Sequence, residues 1–161
     1  MSVSGTPPSV NLPGRAGTYI LLVHLTCPAI LRVGRLGTYP LSAGMYAYCG
    51  SARGAGGLRA RVNRHLRLEK PIHWHIDVLT ALARVVELGW VESTERLECV
   101  WAQALSTLPG VREPVPGFGS SDCACRTHLL ALPEPVPDVI WEVLGHPTRL
   151  AVPQTQTAEP L

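Results

Sequence analysis

The sequence lacks several features that would identify its class directly. Its 161 residues include a single lysine, Lys70, and no apolar run near the ~20 residues that a membrane-spanning helix needs. Residues 1–13 lack the basic start and apolar stretch of a secretory signal. No P-loop, G-x-S-x-G elbow or dinucleotide-binding fingerprint occurs either. We therefore expect a soluble, cytoplasmic protein with no membrane partner and no small-molecule cofactor.

What the chain does contain is enough apolar material for one globular domain, since hydrophobic residues make up 46% of it. Two β-rich runs, GTYILLVHL (17–25) and GMYAYCGSA (44–52), predict strands. Apolar residues repeat every four positions from Gly57 to Leu68 and predict an amphipathic helix. Further helices are predicted at 75–82 and 95–108, and further strands at 84–91 and 128–132.

This order of elements predicts an α+β fold with a small, mainly antiparallel sheet flanked by helices. Both ends are rich in residues that have little to bury. We expect disordered tails at residues 1–14 and 151–161, and one domain at residues 15–150.

Basic residues concentrate in and around the first predicted helix, although the net charge of the whole chain is only +2. The cluster comprises Arg53, Arg59, Arg61, Arg64, Arg67 and Lys70. Arg61, Arg64 and His65 share the side next to the apolar stripe, whereas Arg59 and Arg67 face outward. Guanidinium groups bind phosphate oxygens bidentately, so this surface suits a nucleic-acid backbone. An ordinary solvated helix face explains it equally well.

Cysteine and histidine residues raise the possibility of a metal site. An odd number of cysteines, five, in a chain without a signal peptide favours reduced thiols over disulfides. A polar-aromatic cluster (His73, Trp74, His75 and Asp77) and the later Cys123-x-Cys125-x2-His128 could together supply nitrogen and sulfur ligands for zinc. The C-x-C step is uncommon in such sites, so buried thiols and a hydrogen-bonded histidine remain the alternative. Cys27 and Cys99 are predicted to be small core residues.

Glu98 lies on the side of the third predicted helix that faces the core. A carboxylate in that position needs a partner, which could be an arginine, a hydrogen-bond donor or a metal ion. Helical periodicity alone does not choose among the three.

Several of these segments together resemble the GIY-YIG nuclease superfamily. The resemblance rests on Gly17-Thr18-Tyr19, Tyr48-Cys49-Gly50, the helix segment GLRARV (57–62) and Leu97-Glu98-Cys99. The longer words YCGSARGAGGLRARVNRHLR, HWHIDVL, LECVWAQAL and GFGSSDCACRTHLL resemble one branch more closely. That branch is a DUF123-like domain of unknown function, found alone or fused to DNA-repair enzymes.

Two features depart from the superfamily pattern. Tyr19 and Tyr48 are further apart than usual, which an extra hairpin at residues 26–41 would explain. Gly37-Thr38-Tyr39 has nearly the usual spacing to Tyr48, but Pro40 follows it and suits a turn better than a strand interior. Cys49 also replaces an aliphatic residue, a change that a buried strand tolerates.

The resemblance implies a divalent-metal-dependent endonuclease that cleaves DNA, with structure or strand selectivity and a link to DNA repair. Glu98 would hold one Mg²⁺ or Mn²⁺, and Arg61 would bind the phosphate oxygens. Tyr19 would accept a proton from the attacking water with the help of a nearby cation, while Tyr48 orients that water and His65 shares the proton transfer. Asp77 or Asp122 would be needed for a second metal ion.

Further residues are expected around the same cleft as contacts to nucleic acid, with DNA favoured over RNA. They are Arg53, Arg59, Arg64, Arg67, His73, Trp74, His75, Ser120 and Ser121. Trp74 would stack on an unpaired base or serve as a core anchor. Two other functions remain open at this point: a non-catalytic nucleic-acid-binding module, and a zinc-stabilised interaction domain.

Overall fold

A computed structural model describes residues 8–120 and 123–154 of the chain. The strands are β1 (Gly17–Leu25), β2 (Ala29–Val33), β3 (Gly37–Leu41), β4 (Gly44–Ala52), β5 (Arg84–Glu92), β6 (Leu129–Leu132) and β7 (Thr148–Ala151). The helices are α1 (Gly57–Leu66), α2 (His75–Thr80), α3 (Glu98–Ser106) and α4 (Val139–Val143). The predicted α+β class is confirmed. In this described part, no helix is both long enough and apolar enough to cross a membrane.

Strand β1 lies at the centre of a five-stranded sheet with the order β6-β4-β1-β5-β7. Every neighbouring pair in this sheet is antiparallel. All but one of the nine residues of β1 are buried, because both faces of the sheet are covered. This explains why β1 is a continuous apolar run instead of an alternating one.

The extra hairpin expected between the two tyrosine motifs is present as β2 and β3, which pair with each other in a separate two-stranded sheet. Pro40 lies within β3, opposite Ile30, and not in a turn as expected. A strand with only one partner tolerates proline because the missing N–H can face away from the ladder.

The two faces of the main sheet have different coverings. Tyr19, Leu21 and Val23 of β1 belong to a core that includes buried residues of α1 and α2. Ile20 and Leu22 point to the opposite face, where they join a core with buried residues of α3 and α4. Helices on both sides of one sheet therefore bring residues from α1 and α3 to the same end of β4.

The segment before β1 is packed on the domain, so the expected tail at 1–14 is wrong for residues 8–14. Val10 and Leu12 are buried in the core. Asn63 makes two hydrogen bonds with the backbone of Val10, of 2.9 and 3.0 Å, and Arg59 Nε donates to the Leu12 carbonyl at 2.8 Å. Residues 1–7 lie outside the described part. Two apolar side chains among prolines and glycines suffice to anchor the segment.

The other chain end shows the same kind of difference. The predicted tail begins at residue 151, yet β7 includes Ala151, and Val152 is buried and donates a backbone hydrogen bond to Val86 at 3.0 Å. Helix α4 and strand β7 were not predicted, because each spans only four or five residues. Residues 155–161 lie outside the described part.

We predict that Leu12→Ala lowers the free energy of unfolding by about 2 kcal/mol or more, because it removes a fully buried side chain. Urea denaturation monitored by circular dichroism measures the change. Leu68→Ala is the matched control, since Leu68 is 58% exposed, whereas Leu12 is 1% exposed. Equal unfolding midpoints for the two variants would show that residues 8–14 do not pack as described.

Candidate functional site

A polar cavity of about 180 Å³ opens at the end of β4, between α1 and α3. Its lining residues are Tyr48, Gly50, Ser51, Arg53, Gly54, Arg61, Arg96, Glu98, Gly119, Cys123 and His128. Three arginines and one carboxylate share this small space. Among the lining residues in the described part of the chain, Glu98 is the one carboxylate.

The register between β1 and β4 places both motif tyrosines beside this cavity. Tyr19 lies opposite Gly50, and Tyr48 lies opposite Leu21, so both tyrosine rings point to the face covered by α1. Their ring centroids are 6.5 Å apart. A Cβ atom at Gly50 would lie 2.6 Å from the Tyr19 hydroxyl oxygen. Glycine at that position therefore makes room for the Tyr19 ring.

Helix α1 contributes Arg61 and His65 from the same side, one helical turn apart. His65 Nε2 is 2.6 Å from the Tyr19 hydroxyl oxygen, and both residues are buried. Arg61 Nη1 donates to the Ser51 carbonyl at 2.9 Å, and the positive charge of the guanidinium lowers the pKa of Tyr19 against burial. Arg61 thus links α1 to the end of β4, with its charge next to the tyrosines.

Tyr19, Tyr48 and His65 are electrically neutral at neutral pH because they are buried. Burial raises the pKa of Tyr19 well above its usual value, Tyr48 raises it further, and Arg61 opposes both effects. Burial also raises the pKa of Tyr48, again against Arg61. Burial, followed by the charge of Arg61, lowers the pKa of His65 to about 3. His65 Nδ1 has no hydrogen-bond partner in the part of the chain that the structure describes.

Tyr48, not Tyr19, is the tyrosine that lines the cavity. Tyr19 has no exposed surface, and its hydroxyl is hydrogen-bonded to His65 and does not line the cavity. Direct proton transfer to Tyr19, as expected from the sequence, therefore requires additional positive charge to lower its pKa.

Glu98 begins α3 and is 8% exposed. Its carboxylate accepts a hydrogen bond from the Ser51 hydroxyl and forms no ion pair among the described residues. Of the three partners that the sequence left open, a hydrogen-bond donor is the one present. The start of α3 is held in place by a 3.1 Å hydrogen bond from the Leu97 N–H to the Thr18 hydroxyl of β1.

The donor atoms beside the cavity match a hard divalent cation. The Glu98 carboxylate and the Ser51 hydroxyl are both oxygen donors, the type that Mg²⁺ and Mn²⁺ prefer. With a single carboxylate, such a cation would keep most of its waters. Asp77 is committed elsewhere, and Asp122 lies outside the described residues.

Trp74 forms the rim of a second cavity that shares Tyr48, Arg61 and Gly119 with the first. The guanidinium carbons of Arg61 and Arg64 lie 4.4 and 4.3 Å from the centre of its ring. Trp74 is half-buried and packs against the core, so it serves as an anchor while it borders the cleft.

Asp77 links α1 to the backbone at the start of α2, next to this second cavity. Its carboxylate accepts hydrogen bonds of 2.9 and 3.1 Å from Arg64 and two of 2.9 Å from the His73 and Trp74 backbone. Burial alone would raise the pKa of Asp77, but these hydrogen bonds and the Arg64 charge lower it overall. Arg64 is thus occupied by an internal ion pair and is not free to bind a phosphate as expected.

The other predicted nucleic-acid contacts divide into three groups. Arg53 is exposed and lines the main cavity, while His73 and His75 line the second one. Arg59 is bound to the backbone of residues 8–14, and the exposed Arg67 borders a different cavity. Ser120 is buried and outside both cavities, and Ser121 lies outside the described residues.

Sequence reasoning missed two residues of the main cavity, Ser51 and Arg96. Ser51 lies opposite Thr18 of β1, so its proximity to Glu98 depends on a strand pairing that no local pattern reveals. Arg96 comes two residues before Glu98. Its closeness to Glu98 along the chain was the only feature of the sequence that could have placed it in the site.

Four potential soft-metal ligands also meet at the cavity: Cys99, Cys123, Cys125 and His128. The fourth potential ligand is Cys99 of α3 and not His73 or His75. Cys99 is half-buried and Cys27 is exposed, so the prediction that both are small core residues is wrong. The sulfurs of Cys99 and Cys125 are in direct contact as a bonded pair, in contrast to the expectation that all five thiols are reduced.

Comparison with protein families identifies the chain. A family model described as "Domain of unknown function DUF123" matches residues 18–145. The chain belongs to the DUF123 family. No curated protein and no solved structure matches it. The match runs from the second residue of β1 to just beyond α4. All the residues that line the main cavity therefore lie within the matched region.

We predict that His65 makes the stability of this DUF123 protein fall as the pH drops below about 6.5. The folded-state pKa of His65, about 3, lies below the ordinary value, so the unfolded chain binds a proton that the folded chain excludes. His65→Gln should reduce the slope of unfolding free energy against pH by up to about 1.4 kcal/mol per unit between pH 6 and 4.5.

Urea denaturation across this pH range measures the slope. His146→Asn is the control, because His146 is exposed and asparagine accepts its positive φ of 55°. An unchanged slope in His65→Gln would mean that His65 is not buried in its neutral form.

Proposed function

We propose that this DUF123 protein is a divalent-metal-dependent endonuclease of the GIY-YIG type that hydrolyses phosphodiester bonds in DNA. One observation carries the proposal. The residues that match the superfamily's catalytic motifs come from four different elements and gather around one polar cavity. They are Tyr19, Tyr48, Arg61, His65 and Glu98. The fused repair enzymes of similar chains favour a role in DNA repair and a structure- or strand-selective substrate.

Arg61 is the group best prepared to bind a phosphate. Its side chain is fixed by the Ser51 carbonyl and by the face of Trp74, and it lines both cavities. A guanidinium held in one orientation binds non-bridging phosphate oxygens without a further entropy cost. Arg53 and Arg96 add positive charge along the same wall and would attract a polyanion.

Glu98 would hold Mg²⁺ or Mn²⁺, with the Ser51 hydroxyl beside it. The cation would supply charge stabilisation for the leaving oxygen and for the phosphorane-like charge that develops in the transition state. One carboxylate among the described lining residues favours a single metal ion over a two-metal arrangement.

The tyrosines would handle the attacking water. Tyr48 reaches the cavity and would orient the water as a neutral hydrogen-bonding phenol. Tyr19 would accept the proton only as its phenolate, which requires the charge of a bound cation in addition to Arg61, because burial holds the pKa of Tyr19 above its ordinary value. His65, whose own pKa is too low for a general base, would fix the Tyr19 hydroxyl through the 2.6 Å contact.

The alternative is a non-catalytic nucleic-acid-binding module with the same fold. The complete burial of Tyr19 and the raised pKa values of both tyrosines favour this alternative. A binding-only module needs the arginines of the cavity but not the Glu98 carboxylate.

We predict that Glu98→Gln and Arg61→Lys each reduce the rate of DNA cleavage at least about 100-fold. Glu98→Gln removes the carboxylate that would bind the cation, and Arg61→Lys removes the fixed guanidinium group that would bind the phosphate. Labelled single-stranded, duplex, flap and junction DNA with Mn²⁺ or Mg²⁺ are the substrates. Glu142→Gln and Arg35→Lys, at exposed positions outside both cavities, are matched controls that should cut like the wild type. Electrophoretic mobility shifts in the presence of Ca²⁺ measure binding separately.

Wild-type cleavage that survives in both Glu98→Gln and Arg61→Lys would refute this active site. Binding by the wild type without cleavage of any DNA, or of the corresponding RNA set, would establish the binding-only module instead.

We also predict that DNA affinity falls steeply with salt concentration and that Arg53 contributes to this dependence. Loss of one phosphate contact should reduce the slope of log affinity against log salt by about 0.9 for duplex DNA. Arg53→Ala should show this reduction. Arg67→Ala, an equally exposed arginine beside a different cavity, should leave the slope unchanged. Fluorescence anisotropy between low and moderate salt makes the comparison, and equal slopes would remove Arg53 from the interface.

A further inference from the structure

Beside the oxygen donors of the cavity lies a separate group of sulfur and nitrogen donors. Cys99 comes from the first turn of α3, and Cys123, Cys125 and His128 come from the loop that leads into β6. Their four potential ligand atoms all lie within 4.8 Å of one another. The remaining two cysteines are elsewhere: Cys27 is exposed and Cys49 is buried within β4.

Two of the separations between these atoms match a tetrahedral zinc site. His128 Nε2 is 3.4 Å from Cys99 Sγ and 3.5 Å from Cys123 Sγ. With a Zn–S distance of about 2.3 Å and a Zn–N distance of about 2.0 Å, tetrahedral geometry separates sulfur and nitrogen ligands by about 3.5 Å. Two of the ligand pairs therefore already have the separation that a shared zinc ion would impose.

The surroundings of His128 also favour a metal ligand. Its Nε2 atom faces the sulfurs of Cys99 and Cys123, while its Nδ1 atom is directed toward Gly119. The ring is therefore oriented with one nitrogen toward the cysteines, as a metal-binding histidine requires. His128 is buried, and the three cysteines are half-buried, so the site is shielded but reachable by an ion.

We propose that Cys99, Cys123, Cys125 and His128 bind one zinc ion as a closed structural site. Thiolates and imidazole are the ligands that select zinc, and four protein ligands leave no open position for catalysis. In the reduced chain, after a thiol reductant has opened the Cys99–Cys125 pair, the three thiols release their protons to solvent and each sulfur forms a bond to the ion, so binding itself transfers no electron. The direct Cys99–Cys125 contact identifies the competing state, a disulfide, which the experiment distinguishes.

The site would join α3 to the loop that leads into β6. The loop is closed by hydrogen bonds of 2.7 Å from Gly117 to Arg126 and from His128 to Phe118, and Gly119 N–H donates to His75 Nδ1 at 2.8 Å. Zinc would attach this loop to α3 through Cys99, next to Glu98. Cys123 and His128 line the main cavity, so the ion would stabilise one of its walls whether or not the protein is a nuclease.

The test is a Co²⁺ titration of the full chain after chelation and thiol reduction. We expect the visible absorption bands of tetrahedral, thiolate-bound Co²⁺, saturation at one ion per chain, loss of the bands when Zn²⁺ is added, and a higher thermal midpoint with Zn²⁺. Cys123→Ser should bind about 10-fold to 100-fold more weakly. Cys27→Ser, at the exposed cysteine, should bind like the wild type.

Absence of a tetrahedral Co²⁺ spectrum in the reduced wild-type chain would overturn the proposal. A count of titratable thiols in denatured protein, purified without reductant or added metal, is the second measurement. All five thiols together with bound zinc would support the site. Three thiols without zinc would overturn it in favour of the Cys99–Cys125 disulfide.

Discussion

The antiparallel register between β1 and β4 is the constraint on which the whole site depends. Because side chains alternate along a strand, the pairing of Tyr19 with Gly50 puts Tyr19 and Tyr48 on one face and lays Thr18 beside Ser51. A shift of β4 by one residue would turn Tyr48 away from Tyr19, toward α3 and α4. The same pairing fixes the distance from β4 to Glu98, since Thr18 holds the start of α3. Burial of β1 on both faces makes such a shift costly.

The first two residues of α3 carry donor atoms that suit different kinds of metal ion. Glu98 carries hard oxygen atoms toward Ser51, and Cys99 carries a soft sulfur atom toward the loop before β6. Hard cations such as Mg²⁺ select the first kind of donor, and zinc selects the second. Under our two proposals, the first turn of α3 would bind the catalytic cation through Glu98 and the structural zinc through Cys99. Loss of zinc would then disturb the position of Glu98, although Glu98 is not a zinc ligand.

Local patterns in the sequence predicted what depends on neighbours along the chain. The four-residue apolar repeat identified α1 and, with it, the common side of Arg61 and His65. The strand runs identified β1 and β4, and the unusual separation of Tyr19 and Tyr48 indicated the hairpin between them. The α+β class followed from the order of these elements.

The parts that were missed depend on contacts between distant segments. No sequence pattern near Arg64 indicates its ion pair with Asp77. Likewise, no pattern near Leu12 indicates that its side chain is buried in the core. Cys99 joined the cysteine cluster only because α3 packs beside the loop before β6. Ser51 became a partner of Glu98 for the same reason.

The central place of β1 also has a consequence during synthesis of the chain. Strand β1 leaves the ribosome before its partners, since β4 and β5 begin about 20 and 60 residues after it ends. Until then, a nine-residue apolar strand with two unpaired edges is exposed, the kind of segment that associates with other chains. The local β2–β3 hairpin forms in the interval but does not pair with it. Slow elongation between β1 and β4 therefore favours aggregation, and chaperone binding would be of most use at that stage.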